Sequence, residues 1–191
     1  EEICDYLKTL QKSDASVYYF ASSDKERVTK SIDKEEICAI GNHTIVTREQ
    51  VQMYTKFYEI TYDKTLSEKK AIAYAKERNA LYVAAMQNGY QVTDEQVKAY
   101  VEELKQNLDG IWTKEQKEKL LSGFASEDDY WAFEQKVYRI DLPIQNYVRD
   151  KENEFNRKNE SGQTWDEAFK TLKQNLVDDC LLYTSPSPRD S

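Results

Sequence analysis

The residues that could carry chemistry are few. The chain has one histidine, His43, so any Ser-His-Asp or Cys-His arrangement would have to be assembled around it. It follows Gly41 and Asn42 between two short apolar runs, 37–40 and 44–46, where the chain must reverse and where Gly and Asn tolerate positive φ. A turn position accounts for His43 better than a catalytic base does. Cys4, Cys38 and Cys180 are unevenly spaced and form no C-x-x-C. A structural zinc needs four ligands at workable spacing, so no metal site is expected and the cysteines read as buried free thiols, with a Cys4–Cys38 bridge as the alternative. There is no G-x-G-x-x-G, no G-x-x-x-x-G-K-[ST] and no H-E-x-x-H. The carboxylate pairs Asp128/Asp129 and Asp178/Asp179 fall at expected helix ends, where capping and solvation explain them without acid–base work. These residues argue for no enzyme and no cofactor.

The unusual quantity is aromatic: 14 tyrosines, three tryptophans and six phenylalanines. Such rings bring large contact area with a polar handle, and where they are left exposed they mark a binding surface. Taken singly, Tyr54, Tyr58, Tyr82, Tyr100, Tyr130 and Tyr138 each read as a core-facing helix residue. Taken together, they lead us to expect some rings in an open groove. The candidates for contact with a polypeptide are Tyr54, Phe57, Tyr58, Tyr82, Met86, Trp131 and Tyr138, chosen because ring and thioether surfaces adapt to varied partners.

These side chains must be positioned by helices. The stretch 71–108 reads as one helix, a stop and a second helix. Ile72, Ala75, Tyr82 and Met86, with Ala71, Arg78 and Ala85, give the first an apolar, small-residue face. Asn88-Gly89 ends it. Thr93 with Gln96 opens the next, in which Val97, Tyr100, Val101, Leu104 and Leu108 form the apolar stripe. The same Thr-x-x-Glu/Gln box recurs at Thr47/Gln50, Thr65/Glu68, Thr113/Gln116 and Thr164/Glu167, each ahead of an apolar-periodic segment. Ser126 caps a helix that runs over some thirty residues with Pro143 inside it. There it either kinks, or stops and restarts with Asp141 as N-cap. Residues 37–46 form a small hairpin, residues 1–12 a short helix and 17–20 a short strand, while 25–34 reads as loop or edge strand. The fold class is all-α: an extended or orthogonal multi-helix assembly with a small β-hairpin near the N-terminus.

Composition agrees. Gly (5) and Pro (3) are scarce, which favours helices over a sheet sandwich. A net charge of −8 disfavours a nucleic-acid partner, and no apolar run is long enough to span a membrane. The chain begins without Met or a signal-like block, so we expect a piece of a longer precursor. Residues 181–191, LLYTSPSPRDS, lack periodicity and resemble translated sequencing-adapter sequence. Three parts are therefore expected: 1–34, of unclear role; 35–179, the helical domain; and 180–191, a non-native tail beyond which the natural chain continues.

Residues 84–104, AAMQNGYQVTDEQVKAYVEEL, resemble the N-terminal chaperone domain of SurA- and PrsA-type proteins, and more distantly the substrate-binding region of trigger factor. Weaker likenesses cover the rest of 39–176. AIGNHTIVTREQV is similar to the family's opening segment, with Asn42 and Thr47 matching and His43 standing where the family commonly has Gly. SEDDYWAFEQKVY is similar to a later helix, and WDEAFKTLKQNL to the helix that returns to the hairpin. The resemblance implies an extracytoplasmic domain, of the cell envelope or secreted, that holds unfolded or extended polypeptide without cofactor or nucleotide. Two alternatives remain: the substrate-holding part of a parvulin-type prolyl isomerase whose catalytic domain lies outside this chain, and a structural helical adaptor with one fixed partner. Neither client identity nor oligomeric state is legible.

Overall fold

The computed structural model describes residues 19–158, 162–180 and 183–184. Their elements run α1 (Lys25–Lys30), β1 (Ile37–Ile40), β2 (Ile45–Thr47), α2 (Arg48–Tyr62), α3 (Glu68–Gln87), α4 (Asp94–Asp109), α5 (Lys114–Leu121), α6 (Glu127–Lys158), α7 (Trp165–Cys180) and β3 (Tyr183–Thr184). The architecture is the expected one, all-helical with a small hairpin near the N-terminus. The helix expected at 1–12, the Cys4 end of the alternative bridge, and Val17 and Tyr18 lie outside the described residues. Tyr19 and Phe20 are irregular rather than strand.

Helix α3 is the centre, packed on by α2, α6, α7 and β2. Its first half is amphipathic, but every residue from Asn79 to Met86 is buried. A single apolar face was expected; instead the small side chains Ala80, Ala84 and Ala85 let neighbours approach from all sides, and a helix so surrounded is buried all round. The main core joins α3 to Val51 and Tyr54 of α2, Ala39 and Val46 of the hairpin, and Ile140, Ile144 and Tyr147 of α6. A second core gathers Val97 and Val101 of α4 with Tyr130 and Trp131 of α6, and α5 leans on it through Leu120 and Leu121.

Helix starts follow the local code closely. Thr93, Thr113 and Thr164 each accept from the amide three residues on, and Gln96, Gln116 and Glu167 reach back to the cap. At Thr47 only half the box forms, because Gln50 turns inward to bond Asn79. The Thr65/Glu68 box does not form. Helix α3 starts two residues later than that box requires, with Ser67 as N-cap, its Oγ accepting from the Lys70 amide at 3.4 Å. Leu66, packed against the main core, holds the approach to α3 extended, and with Ala71 in the same core it makes the apolar pair that flanks a cap. Val92 and Val97 are placed likewise in the second core. Thr93→Ala is therefore expected to cost about 1 kcal/mol in urea denaturation, and Thr65→Ala less than about 0.5 kcal/mol. Equal losses would show that the boxes contribute nothing beyond propensity.

Three further differences have simple causes. Residues 25–30 are helical, not loop or strand. With Val28 as its one buried residue the segment shows no periodicity, and Arg27–Asp24 and Lys30–Glu26 pairs support the turn. Val28 and Phe20 share a small core with Ile37 and Ile45, so this part of 1–34 is built onto the hairpin. Helix α6 runs unbroken through Pro143, and Asp141 caps nothing; it pairs with Arg78. Helix α7 continues to Cys180, which is buried against Ala80 and Val83, so residue 180 is part of the helical body.

The hairpin pairs Ile37 with Thr47, Ala39 with Val46 and Ile40 with Ile45, with a bulge at Cys38. The turn closes through the Gly41 amide on the Thr44 carbonyl at 2.8 Å. His43 occupies this turn, its Nδ1 3.0 Å from the Phe20 carbonyl and its own carbonyl accepting from the Phe20 amide.

Candidate functional site

Among the described residues an open cleft lies between α2 and α5. Gln52, Thr55, Lys56, Glu59, Ile60 and Asp63 recur at helical spacing on one side of α2 and face Gln116, Lys119 and Leu120 of α5 and the Ser122-Gly123 turn across a cleft of about 980 Å³. The two walls touch at few points, chiefly where Ile60 of α2 joins Leu120 and Leu121 of α5 against the second core. Lys119 crosses the mouth to Asp63 at 3.1 Å, an exposed pair of little energetic weight. Lys56 sits 4.0 Å over the Phe124 ring. The two lysines balance Glu59 and Asp63, and the remaining polar lining is amide and hydroxyl. Thr55 Oγ1 and Ser122 Oγ already donate to the Val51 and Lys119 carbonyls, and the near-zero charge of the lining favours an uncharged occupant.

Tyr62 stands at the rim, 54% exposed. Among the described residues only Tyr62 and Ile111 are large apolar side chains this open. Tyr62 begins a chain of rings that runs inward: Tyr62 to Tyr58 at 5.0 Å between centroids, Tyr58 to Tyr74 at 4.9 Å, Tyr74 to Tyr54 at 5.0 Å, with Phe57 6.2 Å from both Tyr58 and Tyr62. Burial raises the phenols of Tyr58, Tyr74 and Tyr54 above their ordinary values. The rim of the cleft is thus braced by edge-to-face and tilted rings down to the core.

The proposed contact residues separate along this line. Phe57 and Tyr58 are half-buried and come together with Tyr62 at the rim. Tyr54, Tyr82 and Met86 are buried in the main core. Trp131 is buried in the second core, its Nε1 donating to Glu127 Oε1 at 3.2 Å. Tyr138 is half-buried against Tyr100 at 4.9 Å. The open groove expected for some of these rings is not found among α2, α3 and α6, because α2 and α6 pack their ring-bearing faces onto α3. Tyr62 and Ile60 of the real cleft lie in the heptad that bears Phe57 and Tyr58. The sequence shows no sign that this side of α2 is left uncovered.

A polar cluster lies beneath the rings. Asn79 of α3 donates to Thr44 Oγ1 and the Ile45 carbonyl, and accepts from Gln50. Arg78 pairs with Asp141 at 2.5 Å, both side chains nearly buried. Burial acts against the Arg78 charge, but Asp141 and the nearby phenols hold its pKa above the ordinary value. Gln50 Oε1, Tyr54 Oη and Arg78 Nε lack hydrogen-bond partners among the described residues. On α6, burial pushes the Glu134 carboxyl up to about 7, against a hydrogen bond with Tyr130. These groups orient helices and face no cleft. Among the described residues no cluster of His, Cys, Asp and Glu is arranged to hold a metal ion, and no helix is long and apolar enough to cross a membrane. Comparison of the chain with protein-family models, curated proteins and solved structures finds no match.

Proposed function

We propose that this domain binds extended or unfolded polypeptide segments, holding them in the α2/α5 cleft without cofactor or nucleotide. The observation that carries the reading is the cleft itself: an exposed ring at its rim, aliphatic Ile60 and Leu120 along it, and balanced charge. The likeness of residues 84–104 to SurA- and PrsA-type chaperone domains supports the same reading and adds an extracytoplasmic setting to it. This is work by binding rather than by catalysis, and the buried rings act as its rigid backing.

Light scattering of a chemically unfolded, aggregation-prone client diluted into buffer with the full chain tests the proposal. Suppression near equimolar protein is expected. Tyr62→Ala, at an exposed position that should leave the fold intact, is expected to raise the concentration needed by about tenfold, as for an aromatic anchor at a binding site. No suppression at several-fold excess would reject the holding function. A tight, saturable complex with one partner and no effect on clients would favour the adaptor alternative.

A further inference from the structure

The sheet has an edge whose occupant is informative. Its strand order is β2-β1-β3, so β1 is paired on one side by β2 and on the other by β3. Strand β3 is two residues long and antiparallel, Tyr183 opposite Ile40 and Thr184 opposite Ala39. No strand partner on that side is described for Ile37 or Cys38. Helix α7 delivers the chain to this edge: the Cys180 carbonyl accepts from the Asn42 amide at 3.2 Å, next to the end of β1.

Strand addition to a sheet edge is made by main-chain hydrogen bonds, and side-chain pockets supply whatever selectivity it has. The segment that occupies the β1 edge belongs to the stretch set apart as unlike the rest of the domain, without periodicity or apolar patterning. An edge that takes such a segment reads backbone, not sequence. Unpaired edge groups are a template for any extended chain brought close to them, and tethering through α7 brings this one close at high effective concentration.

We propose that the outer edge of β1 is a second polypeptide-docking site, which takes an extended client segment as an added antiparallel strand, and that residues 183–184 occupy it in cis. The choice of occupant rests on the reading of the domain as a polypeptide binder. The site is separate from the α2/α5 cleft and needs none of its residues. In this chain a client strand binds where residues 183–184, a stand-in from the tail, let go.

The test is fluorescence anisotropy of a short, neutral, β-prone labelled peptide titrated with three proteins: the full chain, a chain ending at Cys180, and the full chain carrying Tyr183→Pro and Thr184→Pro. Proline cannot donate to the ladder, so the last variant clears the edge without shortening the chain and serves if the truncated chain fails to fold. Both cleared proteins are expected to bind the peptide at least about tenfold more tightly than the full chain, as loss of a tethered competitor requires. N-methylation of alternate peptide amides is expected to abolish that gain. Equal affinity for all three proteins, absence of binding to any, or a gain that survives N-methylation would each overturn the edge site. The cleft reading is scored separately: equal peptide binding weakened by Tyr62→Ala leaves the cleft standing and removes the edge. Tighter binding by the cleared proteins with no suppression of client aggregation does the reverse.

Discussion

Asp141→Ala is expected to lower the unfolding free energy by about 3–5 kcal/mol, the usual result of removing one partner of a buried ion pair. Arg78 and Asp141 retain 15% and 12% of their side-chain exposure and meet at 2.5 Å. Around them are Tyr54, fully buried, and Tyr74, whose ring lies 5.9 Å from the guanidinium carbon. Arg78 Nε already lacks a partner, so loss of the carboxylate leaves a cation with no counter-charge and little water. The cost is the stranded charge, not the attraction removed. Arg78→Met combined with Asp141→Leu is therefore expected to recover most of the loss, since an apolar pair of similar volume strands nothing. Urea midpoints at pH 7 for the parent, single and double variants decide it. A loss below about 1 kcal/mol for Asp141→Ala would show that water reaches the pair.

The second large effect is on pH dependence and comes from Glu134. Burial raises its carboxyl from the ordinary 4.5 to about 7, with the Asp141 charge adding to the shift and the Tyr130 hydrogen bond opposing it. The folded protein thus holds a proton that the unfolded chain releases near 4.5. The contribution of this group to stability is greatest below about 4.5, falls as pH rises from there to about 7, and is level above that. At 1.4 kcal/mol per pK unit the total fall is about 3 kcal/mol. Glu134→Gln keeps the shape and removes the titration. The variant is expected to match the parent at pH 4 and to exceed it in stability at pH 8. A parent–variant difference in urea stability that does not change between those two values would refute the buried, protonated carboxyl.

What the sequence made legible was mostly local. Three reciprocal caps and the Gly89 stop, φ +81° in the structure, are satisfied within a few residues and can be read from them. Thr65 failed because a tertiary contact, Leu66 on the main core, outweighed a box of similar local appeal. Periodicity showed which face of α2 bore the rings but not which sides would be covered, since that depends on where α5 comes to rest fifty residues later. Four proposed contact residues are core because their helices bury the faces that bear them, Tyr54, Tyr82 and Met86 in the main core and Trp131 in the second. Arg78 on an otherwise apolar, small-residue face was the visible clue to the buried pair. A cation does not stay there without a counter-charge, and Asp141 sits just as oddly among Ile140, Leu142, Pro143 and Ile144.

Helix α6, 32 residues and about 48 Å long, gives Tyr130 and Trp131 to one core and Ile140, Ile144 and Tyr147 to the other. Neither the first turns nor the stretch 140–147 can melt without taking a wall from the core it serves, and the unbroken helix between them passes that loss along. The two cores should accordingly share one unfolding transition, and the slowest-exchanging amides should run along α3 and the middle of α6 rather than divide into two sets. The cleft sits where α2, held by the main core, faces α5, held by the second core. Anything that binds the cleft of the folded chain alone would therefore raise the stability of both cores together.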